Sequence, residues 1–455
     1  MKIAIDTTIF RDYDIRGIYP SQLNEQTYYI IGRSLVQYLN PHVVAVGHDA
    51  RLSSPTLTES FIKGITDSGC DVVNLGLIST EMTYFASGKY DYPVCAVISA
   101  SHNPAEYNGL KIVLRKVVPL HGQFGLPEIK QFSLAQAFPT PPKKGTVTKR
   151  SILDEWVVHL LSLIDVAKIK PLTVVVDAGN GMGGLAWEKL KDRIPIKLIP
   201  LYFEPDGRFP HHLADPLKEE NLQDLRKKII ETKADLGFAH DGDSDRMFAV
   251  DDKGEIISGT LTTAILATHL LKKYGPNPVL YNVVCGKIVP ETIRSLGGTP
   301  IRVRVGHSFT KEAMKKHNAL LAGEHSGHFY FKENYFADSS TLAALHMLEY
   351  RSIENVPLSE IVARFQKYSS SGEKNFKVVD TAQVIQTVKT VCNDAQSTDE
   401  IDGLSIWYPD YWFNLRASKT EPLLRLNLEG DTKEIMESQL GRITAIISKF
   451  LSPQK

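Results

Sequence analysis

The 455-residue sequence predicts an α/β protein, three related α/β units followed by one C-terminal α+β module. Three observations carry that prediction. A strand–helix–strand pattern occurs three times. Each copy then runs a further strand into a polar loop and out again. The residues after 368 abandon the pattern.

The first unit opens with the apolar run Val43–Val46. Its helix is marked by Ser54 as N-cap and Pro55 at the first position, with Leu57, Phe61 and Ile65 on one face. Cys70–Leu75 is the returning strand. Thr173–Val176 and Ile196–Leu201 play the same parts in the second unit, and Pro278–Val284 and Pro300–Val305 in the third, where Pro290 starts the helix. This spacing implies parallel pairing. The next strands then follow alike. VCAVIS leads through ASHNPAEYNG to LKIVL, DLGFA through HDGDSDR to MFAV, and ALLA through GEHSGH to FYF. Loops at the carboxyl ends of such strands are where open α/β sheets bind ligands, so these three are expected to converge on one cleft.

In the last module, Phe376–Asp380 reads as a strand and Ala382–Cys392 as a helix with Val384, Val388 and Val391 on one face. Strands at Leu404–Tyr408 and Leu423–Leu428 follow. A final helix steps through Met436, Leu440, Ile443, Ile447 and Phe450, with Asp431 and Glu434 placed as a capping-box variant. The Ser-rich stretch 368–375 reads as a hinge. The expected domains are 1–145, 146–254, 255–368 and 369–455.

Lys plus Arg and Asp plus Glu both number 52, so the formal net charge is zero, which weighs against a nucleic-acid binder. Cys70, Cys95, Cys285 and Cys392 lie far apart and read as buried free thiols of a reducing, cytoplasmic compartment. The N-terminus turns charged before a secretory core could form, and apolar runs such as Val94–Ile98 are strand-sized, which predicts no membrane partner.

HDGDSDR (240–246) is the clearest site. Asp241, Asp243 and Asp245 alternate, so an extended backbone would point their carboxylates the same way. A hard divalent cation relieves their repulsion: Mg²⁺ or Ca²⁺, with Mn²⁺ as a substitute. An EF-hand is excluded because Arg246 and Asp252 stand where Gly and Glu are needed. A solvated acidic turn is the competing reading, which the apolar strand feeding the loop opposes. Arg246 is placed to hold a phosphate oxygen.

SASHNPAEYNGLK (99–111) combines Ser101, His102 and Lys111. It lacks the serine-hydrolase elbow, and by itself it reads equally well as a turn. A serine near a carboxylate-bound cation suits phosphoryl transfer. GEHSGH (323–328) offers Glu324, His325, Ser326 and His328, groups that hydrogen-bond vicinal sugar hydroxyls; the helical spacing of a zinc site is missing. RASKTEP (416–422) offers Arg416, Ser418, Lys419 and Thr420 to a phosphate gripped and left intact, though an ordinary hairpin loop would look the same. His211–His212 reads as a surface loop. FRDYDIRG (10–17), with Tyr13 and Arg16, suggests no role by itself.

Taken in order, FRDYDIRG, SASHNP, DGDSDR, GEHSGH and RASKTEP resemble the five signature segments of the α-D-phosphohexomutase superfamily, most of all its bacterial phosphomannomutase/phosphoglucomutase branch. The resemblance covers nearly the whole chain. It implies three related α/β domains with mixed sheets around a central cleft, plus a C-terminal α+β domain. It also implies a phosphoserine at Ser101 that exchanges its phosphoryl group with a hexose phosphate through a 1,6-bisphosphate, with glucose 1,6-bisphosphate or its mannose equivalent as activator. Mg²⁺ would be held by Ser101's phosphate with Asp241, Asp243 and Asp245. Lys111, Arg246, His102 and Arg16 would attend the transfer, with Lys111, His102 and His328 as candidate general bases. Glu324, Ser326, His328 and His307 would hold the sugar, and Arg416, Ser418, Lys419, Thr420 and Tyr13 the distal phosphate. The expected partners are small hexose phosphates, bound by a monomer.

Three departures stand out. Ser244 replaces the family's usual Gly in the metal loop, Lys419 the commoner Asn or Gly in the phosphate loop, and Val284 lies where some relatives carry a substrate-reaching lysine. The alternatives are a phosphoglucosamine mutase, which usually opens with a different segment, an aspartyl-phosphate phosphatase using Asp241, and a non-catalytic sugar-phosphate binder.

Overall fold

The structure is a computed structural model that describes residues 2–418 and 423–452. Its first three sheets repeat one order. In the first, Asp71–Leu77, Val43–His48, Val94–Ile98 and Tyr107–Leu114 lie side by side. In the second, the matching strands are Ile196–Leu201, Leu172–Asp177, Leu236–His240 and Met247–Val250. In the third they are Thr299–Val303, Pro278–Asn282, Leu321–Gly323 and Phe329–Phe331. The first three strands of each set are parallel and the fourth is antiparallel to the third, so each sheet is mixed. The hairpins close at Ile98↔Leu110, His240↔Met247 and Gly323↔Phe329, so the chemical loops occupy one position in all three units.

The fourth sheet is antiparallel, in the order Ser369–Phe376, Leu424–Gly430, Tyr411–Ala417, Leu404–Trp407 and Ser397–Asp399. Helices Thr381–Val391 and Lys433–Ile447 cover it, burying Val384, Val388, Ile443 and Ile447 in its own apolar cluster.

One apolar cluster runs through all three α/β units, joining Phe85 and Val97 to Trp156, Trp187 and Phe238 and on to Leu266, Phe329 and Leu345. Helix Thr80–Lys89 shows why. Residues 80–87 are all buried, on every face, because the second and third units pack against it. His159 sits against Phe85, and Tyr335 stacks on His159.

Several local expectations are corrected. The Ser-rich stretch is the edge strand Ser369–Phe376, irregular between Ser370 and Glu373, instead of a hinge. Pairing satisfies its backbone along one side, and the Ser371 hydroxyl takes the Leu428 amide at 3.0 Å. Of Phe376–Asp380 only Phe376 is in a strand. Helix Ser54–Thr66 follows Ser53, and Ser54 turns its hydroxyl to Asp49 Oδ1 at 2.6 Å instead of capping. The third unit's helix begins at Ile288, ahead of Pro290. Thr432, whose hydroxyl reaches Ile435 N, caps the last helix in place of Asp431. His211 and His212 do lie in a loop at the surface, as expected, with His211 exposed; His211 stacks on Tyr202 at 3.8 Å and His212 Nε2 lies 3.0 Å from Asp177 Oδ2. The four cysteines are buried and free, as expected. Among the described residues no helix is long and apolar enough to cross a membrane.

Candidate active site

The metal loop follows strand Leu236–His240. It is a turn, not the extended segment expected, and Ser244 adopts φ +60°. That reversal, in place of alternation along a strand, brings one oxygen from each of Asp241, Asp243 and Asp245 within 4.8 Å of the others. All three residues are buried. Lys111, from the antiparallel strand Tyr107–Leu114, lies 2.6 Å from both Asp243 Oδ2 and Asp245 Oδ2. Burial alone would lower its pKa, but the two carboxylates hold the ammonium charged well above its ordinary value. Burial and the neighbouring carboxylates push Asp241 up. Burial works the same way on Asp245, yet Lys111 and His328 hold it down. Asp243 Oδ1 is buried without a hydrogen-bond partner, and Asp245 Oδ1 has His328 Nε2 at 3.4 Å. Carboxylate oxygens alone, one of them unsatisfied, fit a hard divalent cation.

Ser101 lies in the turn three residues beyond strand Val94–Ile98, in the left-handed region at φ +52°, which turns its hydroxyl onto the metal loop. Ser101 Oγ donates to Asp241 Oδ2 at 2.7 Å, and His102 Nδ1 lies 3.1 Å away. Burial, with Arg246 and Arg16 nearby, keeps the His102 ring neutral. Gly242 permits the approach of the two loops, since a Cβ there would stand 2.4 Å from Ser101 O. Arg16 reaches the serine loop through Asn103 Oδ1 at 2.6 Å and pairs with Asp14.

Arg246 donates its backbone amide to Asp241 Oδ1 at 3.1 Å and its Nε to His328 Nε2 at 3.3 Å, linking the loop 240–246 to the loop 323–328. His328 Nδ1 lies 3.1 Å from Ser326 Oγ, which lies 3.2 Å from Glu324 Oε2. Thr310 and Tyr330 fix Glu324 Oε1 at 2.9 and 2.7 Å. The His307 ring lies 6.4 Å from that of His328. Tyr13 bonds Val305 O at 3.3 Å and packs 5.8 Å from His307, which places it at the junction of the first and third units. Burial pushes its phenol up to about 12. Arg416, on strand Tyr411–Ala417, is held by Glu373 at 2.8 Å, and Ser418 N bonds Leu423 O. Lys419 and Thr420 lie outside the described residues. Val284 is buried, and the nearby Lys287 is engaged with Asp431 at 2.8 Å.

The structure adds residues that the sequence did not single out. Thr80 donates its amide to Asp243 O at 3.0 Å and its hydroxyl to Asp243 Oδ2. Arg51, 1% exposed, spends its guanidinium on the carbonyls of Ser101, Asn103, Pro104 and Tyr107. Its place just beyond strand Val43–His48 was the one available signal, because the other loops of the cleft leave their sheets at the same end.

A buried serine hydroxyl on a carboxylate cluster, flanked by a lysine and an arginine, is equipment for metal-assisted phosphoryl transfer. The comparisons with known proteins point the same way. Models for domains I, II and III of phosphoglucomutase/phosphomannomutase match residues 7–136, 154–254 and 258–368, and that for its C-terminal domain matches 373–446. A phosphomannomutase of Methanocaldococcus jannaschii is 37% identical over 98% of this chain and 98% of its own. A protein of Xanthomonas campestris pv. campestris named phosphohexose mutases is 37% identical over 96% and 98%. A crystal structure of a phosphoglucomutase/phosphomannomutase family protein from Burkholderia thailandensis superposes with TM-score 0.89 at 30% identity, covering 99% of each chain. The chain belongs to the phosphoglucomutase/phosphomannomutase family.

Proposed function

We propose that this protein interconverts the 1- and 6-phosphates of a hexose, mannose or glucose or both, through a phosphoserine at Ser101. The Ser101–Asp241 hydrogen bond beneath the Lys111-bridged carboxylates carries the reading. Asp241, Asp243 and Asp245, with the serine's phosphate, would hold Mg²⁺, which supplies charge neutralisation on the transferring group. A sugar hydroxyl attacks the phosphorus as the bond to Ser101 Oγ breaks. The hydroxyl's proton passes to His328, which stands between the sugar loop and Arg246, while the Lys111 ammonium, already protonated, would supply the proton that the departing Ser101 Oγ takes up. The resulting 1,6-bisphosphate turns over in the cleft and returns its other phosphoryl group to Ser101. Glu324 and Ser326 would hold vicinal hydroxyls in either orientation, and Arg416 and Ser418 the phosphate that does not react.

In this reading the domains 1–145, 146–254, 255–368 and 369–455 each contribute one loop. One chain then makes the whole cleft, as a monomer in a reducing cytoplasm would. The aspartyl-phosphate alternative is opposed by Asp241 itself. Its Oδ1 accepts the amides of Asp245 and Arg246 and its Oδ2 the Ser101 hydroxyl, so neither oxygen is a free nucleophile. The test is to map the phosphoryl group on the isolated protein and assay Ser101→Ala with glucose 1-phosphate and a trace of glucose 1,6-bisphosphate. Phosphate on serine and an inactive variant are expected. Phosphate on Asp241, or full activity without the serine, would overturn the proposal.

A further inference from the structure

Beneath the metal loop lies a polar knot to which three domains contribute. Glu81, 1% exposed, comes from the first-unit helix Thr80–Lys89. Its Oε1 accepts from Ser340 Oγ at 2.7 Å, from Thr341 Oγ1 and N at 3.1 and 3.2 Å, and from Ser244 Oγ at 3.4 Å; its Oε2 accepts from Ser339 Oγ. Those partners open helix Ser340–Glu354, whose dipole favours a carboxylate at that end.

The proton order within the knot follows from His240. Its Nε2 accepts from Trp187 Nε1, an indole N–H that can only donate, at 2.9 Å, so Nδ1 carries the ring hydrogen and donates to Ser340 Oγ at 2.8 Å. Ser340 therefore has its own proton to share between Glu81 and Ser244 O, the latter at 2.9 Å. The metal loop is thus gripped by two consecutive first-unit residues, Thr80 on Asp243 and Glu81 on Ser244.

Ser244 sits at φ +60°, a conformation glycine adopts freely and other residues adopt at a cost. We propose that Glu81 is a positioning residue: by bonding Ser244 directly and through Ser340, it locks this left-handed turn and so sets the spacing of Asp243 and Asp245 for the cation. Where glycine would permit the loop's shape, this chain imposes it through a bond. The inference rests on the reading of the three aspartates as the cation site.

The experiment is a double-mutant cycle on the full chain, with Mn²⁺ alone as the probe. Bound metal is counted by electron paramagnetic resonance, and melting is followed in EDTA. Asp243→Asn should abolish binding; wild-type protein without a site, or Asp243→Asn that keeps it, would sink the cation-site reading itself. Glu81→Ala should weaken Mn²⁺ about tenfold in the wild-type background, a difference of about 1.4 kcal/mol. In the Ser244→Gly background the same change should cost less than about threefold, because the direct hydroxyl bond is gone and glycine adopts this turn without being held there, even though Ser340 still reaches the carbonyl of residue 244. Glu81→Gln, which can keep Oε1 as the acceptor, should stay near wild type. Equal losses in both backgrounds, or none in either, would overturn the proposal, and a lower melting temperature with unchanged Mn²⁺ affinity would show a structural role only. Should Glu81→Ala fail to fold, Ser340→Ala cuts the arm of the tie that runs through Ser340 and must show the same background dependence.

Discussion

Replacing Lys111 by Met tests the electrostatics of the site most directly. The ammonium lies 2.6 Å from a carboxylate oxygen of Asp243 and of Asp245, and the residue is 7% exposed. At an effective dielectric of 20 each contact is worth about 6 kcal/mol before desolvation. Desolvation takes back much of this, so removing one partner of such a buried cluster costs about 3–5 kcal/mol net. For a cooperative unit of two hundred or so residues that is a fall in Tm of roughly 6–20 °C. Mg²⁺ changes the comparison. In the wild type it must share the carboxylates of Asp243 and Asp245 with the Lys111 ammonium, whereas in Lys111→Met it restores the missing positive charge. Melting measured in EDTA and in saturating Mg²⁺ should therefore show a large deficit that the cation narrows by at least half. A variant as stable as wild type in EDTA, or a deficit that Mg²⁺ leaves untouched, would refute the reasoning.

Other perturbations are equally specific. Burial pushes His240 down to about 3 and His346 to about 4. The unfolded chain takes up protons near pH 6.5 that these folded rings refuse, so their stability is complete above that pH and lost as pH falls. At pH 5 the two together should remove about 4 kcal/mol, and a urea midpoint no lower at pH 5 than at pH 7 would count against this. Gly242→Ala drives a methyl group to 2.4 Å from Ser101 O. It should cut kcat at least about a hundredfold; a fully active variant would mean the loops need not touch. Arg51→Met strands four carbonyls of the serine loop and should lower stability by about 3–5 kcal/mol. Amide exchange across residues 101–107 should quicken with it, and exchange at the wild-type rate would contradict the clamp.

The repeat was legible because each unit uses the same local signals: a β-branched run, a turn, an amphipathic helix and a second run. The loop residues were legible because chemistry-bearing side chains cluster there within a few positions. What escaped notice depends on contacts far apart in the chain. Thr80 and Glu81 look like the start of an ordinary helix until Asp243 and Ser339 are folded against them. The serines of 369–371 look like linker until Leu424–Gly430 pairs with them. Alternation of Asp241, Asp243 and Asp245 suggested convergence correctly but for the wrong backbone, since the turn at Ser244 does what an extended strand was expected to do.

The all-round burial of helix Thr80–Lys89 has a consequence during synthesis. Glu81 leaves the ribosome 258 residues before Ser339, an interval of roughly 13–50 s at ordinary elongation rates. The second unit brings His159 against Phe85 earlier, but through that time the part of the helix's outward face around Glu81 has nothing to lie against. The nascent first unit is an unfinished surface that a holding chaperone would recognise, and it loses that character only when the third unit arrives to close over it.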